Sequence, residues 1–253
     1  MSTLLRYLPI VIVFALWETA TRFGLVSRAL VPDLGDVATA FWQLLTSGEL
    51  LFNAARSLGR AFSGLAAATA FGVVAGLLMA TIRPVRLLIN PLVQVFYPMP
   101  KSALIPVVMV WFGLGDLSKI VLIFLGCILP VVVSTYNGAR GVDHALVWSA
   151  ASLGASRREI LTEIVLPAAM PDILTGIRTA LAFSFILMVS SEFILAKDGI
   201  GFLILDANYQ LNIPRVFALL ILLGLYGIIC HLALQFAHKK LVFWNEPKDV
   251  TSA

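Results

Sequence analysis

The chain has 253 residues, of which 60% are hydrophobic and only 13% charged, and its mean hydropathy is +0.95. A soluble domain of this length could not bury so much apolar surface, which indicates an all-α polytopic membrane protein. The formal net charge is +4, but no basic run or basic–aromatic interleaving occurs, which argues against nucleic-acid binding. Cys127 and Cys230 lie in apolar stretches and are interpreted as buried hydrophobic residues rather than a disulfide or metal pair.

Six stretches of the chain are apolar over about 20 residues, the length that a bilayer core requires. These predicted spans cover residues 5–25, 61–82, 89–113, 118–136, 173–195 and 216–236. The first is an extra N-terminal helix in which Glu18 and Arg22, one helical turn apart, can neutralise each other. The others form a core at residues 61–236, and we expect residues 1–253 to be a single transmembrane domain.

The loop after the first span contains a short predicted helix at residues 31–45, with Asp36 as its N-cap. Its apolar side chains recur at helical spacing, at Val37, Phe41, Leu44 and Leu45. This pattern suits a helix along the outer membrane interface, and it also suits an ordinary packing helix in an extracytoplasmic loop.

The second span carries small residues at four-residue steps: Gly64, Ala68, Gly72, Gly76 and Ala80. In lipid, such a stripe lets another helix approach closely, because hydrophobicity alone gives helices little drive to associate. We assign these residues to helix packing, with packing inside the chain preferred to a dimer interface.

The third span is interrupted by Pro91, Pro98, Pro100 and Pro106. Prolines free backbone carbonyls, so we expect a broken helix that lines a cavity. Lys101 follows the break; it either faces an anionic substrate there or snorkels to an interface. The candidates for the translocation pathway are the polar or flexible residues in and beside the spans, namely Tyr97, Met99, Lys101, Ser190 and Glu192.

Glu192 lies near the outer end of the fifth span and is a candidate gate or partner of Lys101. His231, in the sixth span, is interpreted as a packing residue. An ion-coupled secondary carrier could use these three side chains, and this is the alternative function. Such carriers commonly have interrupted spans in corresponding positions of two repeats, whereas this sequence has one clearly broken span.

Orientation follows from the cations of the short loops. With the N-terminus in the cytoplasm, the larger group lies inside: Arg6, Arg83, Arg86, Arg140, Arg157, Arg158, Lys239, Lys240 and Lys248. The smaller group lies outside: Arg28, Arg56, Arg60, Lys119, Lys197 and Arg215. Both termini, and the charged loop at about residues 140–171, are therefore expected in the cytoplasm.

This loop contains WSAASLGASRREILTEIVLPAAMP, residues 148–171. Asp143 is expected to cap a helix that runs to about Leu153, and Gly154 allows a sharp bend. The second helix then begins with a capping box and ends before the fifth span, with Ser156 and Glu159 at its start and Pro167 at its end. The result is a helix-turn-helix on the cytoplasmic face, either a docking surface or a structural amphipathic loop.

Gly154, Ile164, Leu166 and Pro167 match the G-x9-I-x-L-P spacing of the EAA loop of ABC importer permeases. Over nearly its whole length the chain resembles the nitrate/sulfonate/taurine-type permeases, also in YPMPKSALIPVVMVWFGLGDLSKI and GIGFLILDAN. The sequence departs from the family at Trp148-Ser149-Ala150, where the family usually has Glu-Ala-Ala. The missing carboxylate removes a salt bridge that the family would make there.

The resemblance implies a type I importer in the bacterial inner membrane, with two permease subunits, two cytoplasmic ATPase subunits and an extracytoplasmic substrate-binding protein. Its solute would be a small anion such as a sulfonate or nitrate. The loop would insert into the ATPase as a coupling helix through Trp148, Ser149, Ala150, Gly154, Ala155, Ser156, Arg157, Ile164, Leu166 and Pro167. Arg157 and Arg158 are candidate contacts to that partner and equally candidate membrane anchors.

The chain contains no G-x4-GK[ST] phosphate loop, so ATP and Mg²⁺ are expected on the partner ATPase and no cofactor on this chain. It also lacks G-x-S-x-G, H-E-x-x-H and paired-aspartate motifs within its spans, which argues against an intramembrane enzyme. We therefore predict a non-catalytic permease subunit.

Overall fold

A computed structural model describes residues 3–242, apart from the side chains of residues 3–7, 10 and 195. Regular structure in this part of the chain is helical throughout. The helices are α1 (Thr3–Arg22), α2 (Leu34–Thr46), α3 (Glu49–Thr81), α4 (Arg83–Phe96), α5 (Ile105–Phe112), α6 (Asp116–Arg140), α7 (His144–Ser152), α8 (Arg157–Glu159), α9 (Leu166–Leu195), α10 (Ile200–Tyr209) and α11 (Ile213–Leu241). Part of the orientation prediction lies outside the described residues. It concerns the two chain ends, Lys248 and the side chain of Arg6.

Several helices are long and apolar enough to cross a membrane. Four qualify within the described residues, namely Glu49–Thr81, Asp116–Arg140, Arg157–Ile194 and Ile213–Leu241. Helix α4 and the Lys101–Phe112 segment are long and apolar enough only when taken together, and they are bent by 95° at the proline-rich break. Counted as one broken span, they are the fifth. The fold is therefore that of a polytopic helical membrane protein. Helix α1 coincides with the first predicted span, whose role as a membrane anchor stays a prediction.

Helix α3 begins at Glu49, earlier than the predicted start of the second span at Ala61. The additional residues include Arg56 and Arg60, two of the cations predicted to lie outside. Both cations form ion pairs, Arg56 with Asp198 at 3.3 Å and Arg60 with Asp116 at 2.6 Å. The paired charges let the helix continue through them.

The described chain comprises two compact units. One contains the residues up to Ser57 together with Glu192–Tyr226. Its apolar core joins α2, the start of α3, α10 and α11, through side chains such as Leu44, Leu50, Ile204 and Leu219. Helix α2 is present as predicted, but its N-cap is Asp33, which accepts a hydrogen bond from the Asp36 N–H, so the prediction of Asp36 as the cap was wrong.

The other unit contains Leu58–Ser191 and the described residues from Gly227 onwards. Here the small-residue stripe of α3 lies directly against α6. A Cβ added at Gly64 would lie 2.7 Å from Ile123 Cγ2, and one at Gly76 would lie 2.6 Å from Thr135 Cβ. Glycine at these steps therefore lets the two backbones approach within the chain, as small residues do between membrane helices.

Helices α6 and α9 approach each other in the same way. A Cβ at Gly138 would lie 2.7 Å from Asp172 Cβ, and one at Gly176 would lie 2.6 Å from Ser134 Cβ. Deeper along the pair, the Cys127 thiol donates to the Ala180 carbonyl over 3.1 Å. This close packing matters for function because α6 and α9 carry the two ends of the charged loop.

Candidate functional site

The charged loop between α6 and α9, residues 141–165, is called here the coupling segment. Its first helix, α7, begins at the predicted cap: Asp143 accepts a hydrogen bond from the Ala145 N–H at 2.8 Å. The side-chain oxygen thereby satisfies a backbone donor that the first turn of a helix leaves free. None of the side chains of α7 is buried in the chain.

The end of α7 is closed by a Schellman turn centred on Gly154. The Ala155 N–H donates to the Ala150 carbonyl and the Gly154 N–H to the Ala151 carbonyl, both over 3.1 Å. Gly154 itself has φ +87°, in the left-handed region that favours glycine. The bend predicted from the sequence is therefore a specific hydrogen-bonded turn, and Ala150 and Ala155 enter it through their backbones.

The second helix of the coupling segment starts with the predicted capping box. The Glu159 N–H donates to Ser156 Oγ, and the Ser156 N–H donates to the Glu159 carboxylate over 2.6 Å. The following residues, Ile160–Val165, form a π-helical stretch that runs directly into α9.

Pro167 does not end this helix, contrary to the prediction. A proline in a helix loses one hydrogen bond and collides with the carbonyl four residues before it. The preceding π turn removes this conflict because it shifts the pairing by one residue: the Leu166 N–H donates to the Leu161 carbonyl, five positions back. The helix from Arg157 to Ile194 is consequently continuous.

A single apolar cluster anchors the coupling segment to the transmembrane helices. Val165, Ala169 and Ile173 are buried in it together with Ala139 of α6. Further partly buried side chains pack on the cluster from α3, the loop, α7 and the second helix, namely Val73, Leu77, Ala80, Val142, Val147, Ile160, Leu161, Leu166 and Ile177. A force applied to the segment would therefore reach α3, α6 and α9 through packed side chains.

The coupling segment also exposes large apolar residues. Leu146, Trp148 and Leu153 are 54%, 70% and 86% exposed. The Trp148 ring stacks on His144 with centroids 6.0 Å apart. Ser149, Arg157 and Arg158 are exposed beside them, whereas the signature residues Ile164, Leu166 and Pro167 are half-buried. The signature thus sets the shape of the segment, and its large exposed apolar side chains come from residues outside the signature.

The pathway candidates near the broken span have structural partners. Lys101 Nζ donates to the Phe96 and Tyr97 carbonyls over 2.8 and 2.7 Å and lies 5.8 Å from the Tyr97 ring centroid. It therefore neutralises the C-terminal carbonyls of α4, where a cation is favoured by the helix dipole. Tyr97 is exposed and Met99 half-buried. Their place in a translocation pathway stays a prediction.

Glu192 is fully buried near the end of α9 and takes part in capping α10. Its carboxylate accepts hydrogen bonds from Ser57 Oγ at 2.8 Å and from the Gly201 N–H at 2.9 Å. The Ile200 N–H donates to Ser57 Oγ over 2.8 Å, and the Gly199 N–H donates to Asn53 over 2.7 Å. Side chains from two other helices thus cap the start of α10, whose own N-cap residue is a glycine.

Sequence reasoning singled out Glu192 but missed Asn53, Ser57 and Gly199. A Cβ at Gly199 would collide with the Glu192 carboxylate, and its φ of +112° also favours glycine. The one signal in the sequence was an acidic residue inside an apolar span, followed by a glycine-rich stretch. That signal does not reveal the hydrogen bonds to Asn53 and Ser57, which lie more than 130 residues away along the chain. Ser190 is half-buried, and the pathway role of Ser190 and Glu192 stays a prediction.

Two cations assigned to outer loops are instead buried side chains. Arg60 and Lys119 are 4% and 3% exposed. Lys119 Nζ donates to the Leu114 and Gly115 carbonyls, each over 3.2 Å, beside the Arg60–Asp116 ion pair at the start of α6. Hydrogen bonding and pairing allow these charges to be buried.

Comparison with known proteins identifies the family. Residues 68–243 match the binding-protein-dependent transport system inner membrane component. The putative aliphatic sulfonates transport permease protein SsuC of Bacillus subtilis (strain 168) is 32% identical, with 94% of this chain and 86% of that protein covered. The protein of the same name from Escherichia coli (strain K12) is 34% identical, with 94% of this chain and 90% of that protein covered. The taurine transport system permease protein TauC of Escherichia coli (strain K12) is 31% identical, with 92% of this chain and 87% of that protein covered.

The fold is that of a solved importer. A chain of the MetNI methionine ABC transporter in an inward-facing conformation matches with a TM-score of 0.63 and 20% identity, over 80% of this chain and 95% of that chain. At this identity the likeness concerns the fold alone, whereas the sequence relatives establish the family. The chain belongs to the binding-protein-dependent transport system inner membrane components and is a non-catalytic permease subunit of an ABC importer.

Proposed function

We propose that the chain forms the translocation pathway of an importer for small organic anions, together with a second permease subunit. The coupling segment carries this proposal. It combines capped helices, an apolar anchor on three transmembrane helices and three large exposed apolar side chains. A surface with three such side chains is poorly suited to water and well suited to a protein partner.

The partner proposed for this face is a cytoplasmic ATPase subunit, which supplies ATP and Mg²⁺ chemistry that this chain does not. The coupling segment has caps at the start of each of its helices and continues without a break into α9. Movement of the ATPase would therefore displace the segment and α9 together, as a rigid body, rather than bend a flexible loop. Alternating access by such coupling needs a stiff contact and no catalytic residue.

The departure at Trp148-Ser149 changes the expected chemistry of this contact. A glutamate at the first position would offer an ion pair, whereas Trp148 offers a ring that is 70% exposed. Aromatic side chains that enter a pocket on a partner commonly contribute much of the binding energy. We therefore place Trp148 in an apolar pocket of the ATPase.

The proposed substrate class is a sulfonate or a similar anion, brought by an extracytoplasmic binding protein. Its support is the naming of the relatives, which are described as aliphatic sulfonate and taurine transport permeases. Lys101 is a candidate contact because two of its ammonium donors reach carbonyls and an ammonium carries three. The ion-coupled carrier considered from the sequence is not favoured, because these relatives are ABC transporter permeases.

Reconstitution tests this proposal. Proteoliposomes containing the permease, its genomic-neighbour ATPase and its binding protein should accumulate a radiolabelled alkanesulfonate only with ATP, whereas methionine should not compete. The permease alone, supplied with a proton or sodium gradient, should accumulate none. ATP-independent uptake by the permease alone would overturn the importer assignment of this chain, and competition by methionine but not by sulfonates would overturn the substrate class.

A further inference from the structure

Two positive charges converge on one phenol oxygen where α4 begins and α6 ends. Arg140 Nη1 donates to the Tyr136 hydroxyl over 2.9 Å, and its Cζ lies 5.7 Å from the ring centroid. Arg86, near the start of α4, lies close enough to the same hydroxyl for its positive charge to act on it. Tyr136 packs with Val85 and Ile89 of α4 on one apolar cluster, which keeps the two helix ends together.

Neither guanidinium forms an ion pair with a carboxylate among residues 3–242. The Asp172 side chain of α9 packs against Gly138, two residues before Arg140 on α6. The nearest acidic residue along the chain, Asp143, accepts from the Ala145 N–H as the cap of α7. Each guanidinium has five N–H donors, and Arg140 uses one of them on the tyrosine. The planar fork that remains matches the oxygens of a phosphate, which can accept from both arginines at once.

The surroundings of these arginines suit a lipid. Leu87 and Leu88, which follow Arg86, are 65% and 72% exposed. A tyrosine at the end of a span is typical of the headgroup level of a membrane, where acyl chains meet polar groups. Helix α4 begins at Arg83, and its N-cap residue Ile82 supplies no side-chain cap, so its free N–H groups add positive potential at the same end.

We propose that Arg86, Tyr136 and Arg140 bind the phosphate of an anionic phospholipid on the membrane face predicted to be cytoplasmic. The exposed leucines would contact the acyl chains while the guanidinium groups hold the headgroup. Basic pockets between transmembrane helices on this side of a membrane bind anionic headgroups. Arg140 directly precedes the coupling segment, but the site shares no residue with that segment or with the pathway candidates, and it does not depend on the substrate.

Native mass spectrometry of the purified full-length chain, titrated with phosphatidylglycerol or phosphatidylcholine, tests the site. Arg86→Gln with Arg140→Gln should weaken phosphatidylglycerol binding by about 30-fold or more, because it removes charge-assisted hydrogen bonds from two guanidinium groups to one phosphate. Phosphatidylcholine, whose phosphate is balanced by its own ammonium group, should bind more weakly and change less. The matched control, Lys239→Gln with Lys240→Gln, removes the same charge at the end of α11 and should stay within about twofold of the wild type.

Tyr136→Phe keeps the ring and removes the hydroxyl to which Arg140 donates. It should weaken phosphatidylglycerol binding by a smaller factor than the double arginine variant does, and it keeps the site testable if that double variant misfolds. Unchanged binding in both variants, or an equal loss in the lysine control, would overturn the site. Displacement of the bound lipid by millimolar inorganic phosphate would overturn the lipid assignment, because the site would then be one for free phosphate. If the arginine variant kept its lipid but no longer copurified with the ATPase, the surface would be a protein contact instead.

Discussion

At Gly154 the backbone, rather than a side chain, carries the proposed role in coupling. Its φ of +87° costs an ordinary residue about 1–2 kcal/mol, and a β-branched residue more. A Cβ there meets no atom within 4 Å, so Gly154→Val acts only by opening the Schellman turn. We expect the variant to insert normally and to hydrolyse ATP without proportionate transport, measured as the ratio of sulfonate uptake to phosphate release in proteoliposomes.

Gly48→Val is the matched control for this variant. Gly48 also has a left-handed φ, +75°, and also faces open space, but it lies in the turn between α2 and α3. Its transport-to-hydrolysis ratio should remain that of the wild type. Wild-type coupling in Gly154→Val would remove the turn from its assigned role, and equal uncoupling in both variants would point to general backbone strain.

Glu192 is a second residue whose substitution distinguishes two roles. Glutamine keeps the shape but weakens the hydrogen bonds from Ser57 and Gly201, so the cap of α10 should lose about 2–3 kcal/mol. We expect Glu192→Gln to lower the thermal midpoint of the detergent-purified chain by several degrees, whereas Glu163→Gln, at an exposed position, should not. An unchanged midpoint combined with lost transport would favour the gate that the sequence suggested.

Lys101 and Glu192 show what residue types can and cannot predict. An ionisable side chain within a span is correctly recognised as needing a partner, since burying a lone charge is expensive. The identity of the partner depends on which backbone groups the fold leaves free. The carbonyls of Phe96 and Tyr97 become acceptors for Lys101 because the chain bends there, and no pattern in the sequence specifies that geometry.

At the scale of helices, the stripe on α3 provides a controlled test of close packing. Gly76→Val would place its Cβ 2.6 Å from Thr135 Cβ and 2.8 Å from the Val132 carbonyl, an overpacking that costs about 1–3 kcal/mol or more. Gly59→Val makes the same change of helix propensity on the same helix, where nothing lies within 4 Å. We expect thermal denaturation in detergent to show a loss of stability for Gly76→Val alone.

The outcome that contradicts this packing is equal stability of the two variants. That result would mean that α3 and α6 can separate without cost, and the stripe would then be available to a second copy of the chain. Reduced dimer formation by Gly76→Val at unchanged monomer stability would support that alternative directly.

Helices were predictable wherever one local rule was sufficient. Long apolar runs placed the cores of α3, α6, α9 and α11, and the Ser156–Glu159 spacing predicted a capping box that the structure contains. Prediction failed where two local rules competed. Asp33 and Asp36 are both good N-caps, and the choice depends on where α2 packs. Pro167 is a helix breaker unless a π turn precedes it, and π turns have no clear sequence signal.

For the molecule as a whole, ion pairing differs between the two groups of cations that the orientation prediction separates. Four of the six cations predicted to be outside are paired with carboxylates: Arg28 with Asp33, Arg56 with Asp198, Arg60 with Asp116 and Arg215 with Glu49. Among the described residues, those predicted to be inside have no such ion pairs: Arg83, Arg86, Arg140, Arg157, Arg158, Lys239 and Lys240. Cations without an ion pair therefore lie mainly in the group predicted to be cytoplasmic. The positive-inside rule counts Lys and Arg rather than net charge, so the orientation stays a prediction.

Cysteine labelling tests this orientation at two exposed leucines. Leu153 in the coupling segment and Leu211 in the turn before α11 are 86% and 81% exposed. In a Cys230→Ser background, with Cys127 buried, an impermeant maleimide should label Leu211→Cys in intact cells and Leu153→Cys only after permeabilisation. Coexpressed ATPase should protect Leu153→Cys alone. The reversed pattern would place the coupling segment where no ATPase can reach it, and labelling of both from outside would exclude the proposed span α9.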